Sequence, residues 1–371
     1  MKTRVCLLTT VHPLFDTRIF HKQVKTLLRE GYDVTLIVQW PKDEVIDGVK
    51  ILALPTPQNR LTRIFGLTGR AFYLAWQQGA DLYHFHDPEL LPTGMLLKIL
   101  TRAKIIYDVH EDVPKQILNK HWIPKYLKQV ASWCAEIAEM VGARFFDRIV
   151  AATPAIARRF PVSKTVVVQN FPKLGELAVD LPVSYNDRLP VAAYVGGISR
   201  ERGIEEMVRA IGLLPDKIGA RLVLAGSFSP PELEKDIQQL TGWERVDYLG
   251  WQSREGVKKL LSKTRVGLVT LYPVANYLES YPVKLFEYMS AGIPVVASDF
   301  PLWREIVEGV GCGLLVDPLN PEEIAKAILW LFQHQAEARA MGERGQKAIN
   351  ERYNWAIESK KLLQAYRELM E

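Results

Sequence analysis

Apolar residues along the chain alternate between two patterns. Short uninterrupted runs at 5–9, 34–38, 81–84, 105–107, 149–151 and 166–168 read as strands covered on both faces, as in a parallel sheet. Between the first two, residues 19–29 carry Ile19, Val24, Leu27 and Leu28 at helical spacing, and Gly31 follows as a stop. Periodicity fades over 179–189, where Pro182, Asn186 and Asp187 favour a connection. The alternation then restarts. Strands are expected at 191–195, 222–225, 266–271 and 294–297, and Ile204, Met207, Val208 and Ile211 share one helical face. Beyond Pro321 the chain reads as helix, over 322–333, 337–350 and 355–370.

Repeated strand–helix alternation makes doubly wound parallel sheets, and a restart after a connection makes two of them. The expected division is 1–175, a linker at 176–189, a second domain at 190–352, and a last helix at 353–371. In such sheets ligands lie at the carboxyl ends of the strands, so the chemistry belongs to the loops that follow them and to a cleft between the domains.

Composition adds little to this and excludes some classes. The 371 residues are 48% hydrophobic and 24% charged, enough for two cores and unlike a disordered chain. Three distant cysteines, Cys6, Cys134 and Cys312, form neither a disulfide framework nor a metal motif and fit a reducing, cytoplasmic compartment. The first apolar run is too short for a signal peptide, and no run approaches the roughly 20 residues of a spanning helix. A net charge of +5 is modest and no nucleic-acid recognition motif accompanies it, so no nucleic-acid partner is expected. The distribution of charge is more informative. Residues 48–80 and 113–135 contain no carboxylate, yet carry Lys50, Arg60, Arg63 and Arg70, and Lys115, Lys120, Lys125 and Lys128. Leu61, Ile64, Phe65, Phe72 and Trp76 share a helical face, and Trp122, Tyr126 and Trp133 interleave with the lysines. Such stretches, 60–77 and 115–133, fit docking on an anionic membrane surface, or else ordinary packing of two helices on the sheet.

Two segments of the second half carry candidate chemistry. After the 191–195 strand come Gly196, Gly197, Arg200 and Arg202, and a helix opens near Gly203. Glycines admit an anion close to the backbone, and a helix N-terminus with arginines favours phosphate. After the 266–271 strand come Glu279, Ser280, Pro282, Val283, Lys284, Leu285 and Glu287, with Gly292 as the stop. Pro282 suits a first helical position. Lys284 stands in the first turn against the helix dipole, which an adjacent anion would explain. Taken singly, Lys284 and Glu287 are an ordinary surface pair.

The whole string, Glu279 through Glu287 followed by Ala291-Gly-Ile-Pro-Val-Val-Ala297, resembles family 4 of the retaining glycosyltransferases, which have the GT-B fold. Lys284-Leu-Phe-Glu-Tyr-Met289 is similar to a branch common in bacterial surface-polysaccharide synthesis. His12-Pro13, Asp16 to Phe20, Val167 to Asn170, Asp317-Pro318 and Tyr353 to Trp355 extend the resemblance over nearly the whole chain. The resemblance implies that Glu287 bonds the donor ribose and that Glu279 contacts the transferred sugar. It implies that Gly197, Arg202, Lys284 and the backbone of 280–283 hold the diphosphate, and that His110 lies beside the donor sugar. Many members carry arginine where this chain has Gly197, and Arg200 is one candidate to replace its charge. The last helix is expected to cross back to the first domain.

In the first half His84, His86, Asp87, Asp108, His110 and Glu111 follow two strands, and Asp16 and Arg18 lie in the first loop. Asp16, Arg18, His86, Asp87 and Glu111 are the expected acceptor-binding residues, and Glu279 and His110 the catalytic ones. No metal or cofactor is expected, because cations and a helix dipole would stabilise the leaving diphosphate. The resemblance thus implies transfer from a nucleotide sugar to a glycan or polyprenyl-linked acceptor. The competing readings are a nucleotide-sugar hydrolase or epimerase and a non-catalytic nucleotide-sugar-binding subunit.

Overall fold

The computed structural model describes residues 2–59, 61–119, 123–177 and 185–371. Arg60, Lys120 and Trp122, and positions 178–184 of the expected linker, lie outside the described residues. The chain forms two compact units, Met1–Asn170 with Trp355–Glu371, and Phe171–Asn354.

The first unit is built on an eight-stranded sheet. Its strands are β1 (Arg4–Pro13), β2 (Asp33–Gln39), β3 (Glu44–Ile46), β4 (Val49–Leu54), β5 (Leu82–Phe85), β6 (Lys104–Val109), β7 (Arg148–Ala151) and β8 (Thr165–Val167). The order is β3-β4-β2-β1-β5-β6-β7-β8, parallel except for the β3–β4 pair. β3 and β4 were not legible as strands, because β3 is only three residues long and exposed Lys50 interrupts the apolar run of β4. Core residues such as Leu8, Tyr83 and Ile105 face one side of the sheet, and Leu7, Leu36 and Ile106 face the other. On that second side lie the Ile19–Val24 and Lys25–Arg29 turns, the first of them π-helical, and the Trp355–Met370 helix. Trp355 Nε1 donates to Thr26 Oγ1 (2.9 Å), and the Gln169 N–H donates to buried Glu358 (2.8 Å). The last helix is therefore a structural part of the first unit, as the GT-B expectation required.

The second unit carries a six-stranded parallel sheet. It comprises β9 (Val191–Val195), β10 (Arg221–Ala225), β11 (Val246–Gly250), β12 (Val266–Val269), β13 (Val295–Ser298) and β14 (Gly313–Val316). The order β11-β10-β9-β12-β13-β14 puts the first strand beside the fourth, which is the doubly wound arrangement. The order in which strands are added changes side between parallel β9 and β12, so the loops after those two strands diverge and leave a crevice at their carboxyl ends. The equivalent change of side in the first unit lies between β1 and β5. The strand order thus selects four loops, and they contain most of the residues picked out from the sequence.

Candidate functional site

In the second unit the loop after β9 holds Gly196 and Gly197, and the loop after β12 leads into the Val283–Ser290 helix. Tyr288 fixes their relation. Its hydroxyl accepts from the Val195 N–H (2.9 Å) and donates to the Ala193 carbonyl (3.2 Å), tying the helix to the end of β9. Lys284, one turn earlier on the same helix, is thereby carried to the glycine turn.

There its Nζ lies 3.6 Å from the centroid of the Tyr194 ring. A Cβ on Gly196, which has φ +124°, would stand 3.5 Å from that Nζ and 3.7 Å from an Arg202 nitrogen. Arg202 Nη1 donates to the Gly197 carbonyl (3.0 Å), which also accepts from the Tyr194 hydroxyl (2.7 Å). The Lys284 residue is half-buried, but its Nζ is shielded from solvent and has no hydrogen-bond partner. Burial pushes its basicity well below the ordinary lysine value, and the charge of Arg202 pushes it further. Two cations and the electropositive end of a helix therefore converge on a turn without side chains. Gly203 is required for this geometry: it has φ +74°, and a Cβ there would fall 2.0 Å from the Thr270 carbonyl oxygen.

Arg200 does not join this group. It is exposed and turned away, paired with Glu205 and with Asp236 at 2.7 Å. The cations beside the glycine turn are Lys284 and Arg202, so the expectation that Arg200 fills the place opposite Gly197 is corrected.

Glu287, one turn beyond Lys284, is buried and accepts from Arg254 Nη1 at 2.6 Å. Arg254 also donates through Nε to Glu176 (3.0 Å). Arg254 opens the Arg254–Leu261 helix behind the Ser253 cap. It was missed in the sequence although it shows the same signal as Lys284, a cation in a first helical turn. Glu279 ends the short Ala275–Leu278 helix and is half-buried. The next residue is anchored, since Trp303 Nε1 donates to the Ser280 carbonyl (2.8 Å) and the Ser280 N–H donates to the Tyr277 carbonyl (3.2 Å). Val283 begins the helix and is half-buried, whereas Leu285 is fully buried and can face a ligand only through its backbone.

In the first unit a polar cluster sits at the carboxyl ends of β1, β5 and β6. Buried Asp108 accepts from Arg18 Nη2 (2.8 Å) and Nε (3.3 Å) and from Gln23 Nε2 (2.5 Å). Burial alone would raise this carboxyl; Arg18, then His110 and His84, more than reverse the effect and hold it well below the ordinary range. Arg18 also donates to the Val168 carbonyl (2.8 Å). His84 Nδ1 shares a hydrogen bond with the Tyr366 hydroxyl of the last helix (2.6 Å), and His86 Nδ1 shares one with His110 Nε2 (3.1 Å). Burial lowers the basicity of both His84 and His86. Asp87 accepts from the Thr9 hydroxyl (2.9 Å) and from the N–H groups of Thr10 (2.5 Å) and Val11 (3.2 Å).

These partners divide the expected acceptor residues and the expected catalytic His110. Arg18, His86 and Asp87 are buried and committed to the framework. Asp16, His110 and Glu111 retain exposure. Asp16 accepts from the N–H groups of Arg18 and Ile19, both at 2.8 Å, and pairs with His12 at 3.5 Å. Those bonds overcome the effect of burial and lower its pKa to about 2. His12 belongs to the His12-Pro13 motif but was given no role from the sequence, and Tyr366 had no sequence signal.

His84, His86 and Asp108 place three ligand atoms within 4.8 Å of one another, a spacing that could hold a metal ion. The donor set fits a cation poorly. Arg18 already covers both oxygens of Asp108, and its guanidinium would face the ion directly.

Comparison with known proteins places both halves of the chain in glycosyltransferase families. Residues 17–170 match the family model described as a glycosyl transferase 4-like domain, and residues 183–348 match that of glycosyl transferases group 1. An uncharacterised glycosyltransferase of Methanocaldococcus jannaschii is 26% identical over 93% of this chain and 92% of its own. A phosphatidyl-myo-inositol mannosyltransferase of Mycolicibacterium smegmatis is 24% identical over 93% and 88%. Among solved structures, sucrose-phosphate synthase from Thermosynechococcus elongatus superposes with TM-score 0.80 at 20% identity, covering 100% of this chain and 99% of that one. Anabaena HepE, solved in complex with UDP-glucose, superposes with TM-score 0.73 at 15% identity, covering 98% and 99%.

Proposed function

We propose, for a chain that belongs to the group 1 glycosyltransferases and carries their 4-like N-terminal domain in a GT-B fold, that the donor is a nucleotide diphosphate sugar held by the second unit. One observation carries this reading. The Lys284 amine is buried without a hydrogen-bond partner, beside Arg202, at a turn that only glycine can make. A buried polar group with no partner costs about 1–3 kcal/mol, and a diphosphate oxygen would remove that cost. The diphosphate takes Arg202, Lys284, the backbone of Gly196, Gly197 and Ser280, and the first turn from Val283 to Leu285. Glu287 then takes the ribose, displacing or sharing Arg254.

The reaction proposed is transfer with retention of configuration. The bond from the anomeric carbon to the diphosphate oxygen breaks and the acceptor hydroxyl oxygen bonds to that carbon. The hydroxyl proton passes to the departing phosphate oxygen, whose charge Arg202 and Lys284 stabilise. Glu279 contacts the transferred sugar and His110 assists, with Asp16 and Glu111 on the acceptor side. Arg18, His86 and Asp87 act by holding those groups in place. No metal is assigned a role. The acceptor proposed is a glycan or polyprenyl-linked glycan of cell-surface polysaccharide synthesis, met on the cytoplasmic side.

The test is a thermal-shift screen of the full chain against UDP-, GDP-, ADP- and dTDP-sugars, since a ligand of the native state raises the melting temperature by mass action. One class is expected to raise it, and Glu287→Gln to reduce that rise. No shift with any of them would contradict the proposal, and free sugar released at the same rate with and without acceptor would make the enzyme a hydrolase.

A further inference from the structure

Three helical segments lie side by side on one face of the first sheet, and the first and third turn small or polar residues inward and large apolar ones outward. They are Thr62–Leu67 continuing as Thr68–Gln78, then Leu91–Leu100, then Lys125–Phe145. The Thr93 hydroxyl donates to the Thr68 carbonyl (3.3 Å), joining the first to the second. A Cβ on Gly142 would come within 3.0 Å of Leu91, so the third packs tightly on the second. The first and third bury Ala71, Ala75, Ser132, Gly142 and Ala143 with Leu67, while the second buries Leu91 and Leu97 beside Thr93 and Gly94. What they expose is large and apolar, with Phe65 at 73%, Ile99 at 64%, Tyr126 at 79% and Trp133 at 63%. On the longest helix the exposed residues Tyr126, Val130, Trp133, Ile137 and Met140 form one stripe. Scattered exposed apolar residues need no explanation, but a continuous layer of them marks an interaction surface.

We infer that this three-helix face docks on an anionic lipid bilayer. Charge decides between a bilayer and a second copy of the chain. Arg70, Arg102, Lys125 and Arg144 are exposed on or beside these helices, and on the helices themselves Glu136 is the exposed carboxylate among the described residues. Two such faces would repel each other, whereas apolar side chains ringed by cations match anionic headgroups above acyl chains. No described helix is long and apolar enough to cross a membrane, so contact is through this face. The inference deepens the reading of a lipid-linked acceptor and rests on it for its purpose, though not for its test.

The experiment is co-sedimentation of the full chain with vesicles of phosphatidylcholine, with and without phosphatidylglycerol. Binding is expected to the anionic vesicles and to weaken with salt. Replacing Arg70 and Lys125 by glutamine is expected to lower partitioning roughly 25-fold, at about fivefold for each charge. Phe65→Ser with Trp133→Ser is expected to lower it roughly tenfold or more. All four residues are exposed, so the melting temperature should stay within a degree or two, and binding of the nucleotide-sugar donor, read separately, should not change. No sedimentation with anionic vesicles, equal sedimentation with both kinds, or a concentration-dependent dimer that Trp133→Ser dissolves would each overturn the inference. A chain that binds vesicles but no nucleotide sugar would overturn the proposed function and leave the docking face standing.

Discussion

Replacing Lys284 by methionine should make the protein more stable and worse at its task. Methionine keeps most of the apolar stem against the Tyr194 ring and removes an amine that has no hydrogen-bond partner. Relieving a buried unsatisfied group returns about 1–3 kcal/mol. Loss of the cation–π contact takes back about 0.5–1 kcal/mol. The net gain, about 1 kcal/mol, should raise the unfolding transition of the second unit by roughly 2–4 °C. With ligand the sign reverses. A charge-assisted hydrogen bond contributes about 1.5–3 kcal/mol, so the nucleoside diphosphate should bind roughly 10- to 150-fold more weakly. Melting curves with and without the nucleotide, supported by calorimetric titration, read both effects on one sample. A variant that melts lower than the parent without ligand, or binds the diphosphate equally well, would refute the reasoning. The first result would mean that the amine is already satisfied, and the second that the phosphate lies elsewhere.

Three further outcomes follow from the same geometry. Diphosphate binding should take up a proton at Lys284, because burial and Arg202 depress its pKa in the free protein and the anion raises it. Calorimetry in buffers of different ionisation heat should show that uptake between the free and bound pKa values, and Lys284→Met should abolish it. Arg18→Met strands the Asp108 carboxylate and should cost about 3–5 kcal/mol in denaturant unfolding. In the parent, Asp108 contributes its stability above its unfolded value near 3.8 and loses it as pH falls through the depressed folded value; the variant's stranded buried carboxyl takes up a proton instead, so its stability deficit should narrow on acidification. Gly203→Ala, at φ +74° against the Thr270 carbonyl, should weaken nucleotide binding as well as stability, which separate ligand titration and melting would show.

The sequence disclosed the architecture well where strands are buried on both faces. β1, β2, β5, β6 and β9 appear as uninterrupted apolar runs because helices cover both sides of each sheet. β11 and β14 escaped because their side chains are only half-buried, which leaves no clean period to read. In the donor half, the position of Lys284 against the helix dipole pointed to an anion. Its proximity to Gly196 was not readable, because it depends on the Tyr288 hydroxyl bridging two strand carbonyl-end groups about 95 positions away in sequence. Arg200 and Arg202 look equivalent in the sequence, but Glu205 and Asp236 hold one away from the turn. The amphipathic helices show the other limit. Periodicity reveals that an apolar face exists but not which way it turns, and here the small residues face the sheet. Arg18, His86 and Asp87 looked like ligand contacts because they follow strands, and only their long-range partners show them to be framework.

The central claim is that Glu287 holds the nucleotide and Glu279 serves the transferred sugar. The most direct measurement is steady-state transfer and calorimetric binding with the nucleotide sugar that stabilises the parent, comparing Glu279→Gln and Glu287→Gln. The account predicts that Glu287→Gln weakens nucleotide diphosphate binding roughly tenfold or more, while Glu279→Gln binds it normally and loses roughly a hundredfold or more in kcat. Parent-like affinity in Glu287→Gln together with a parent-like rate in Glu279→Gln would contradict it.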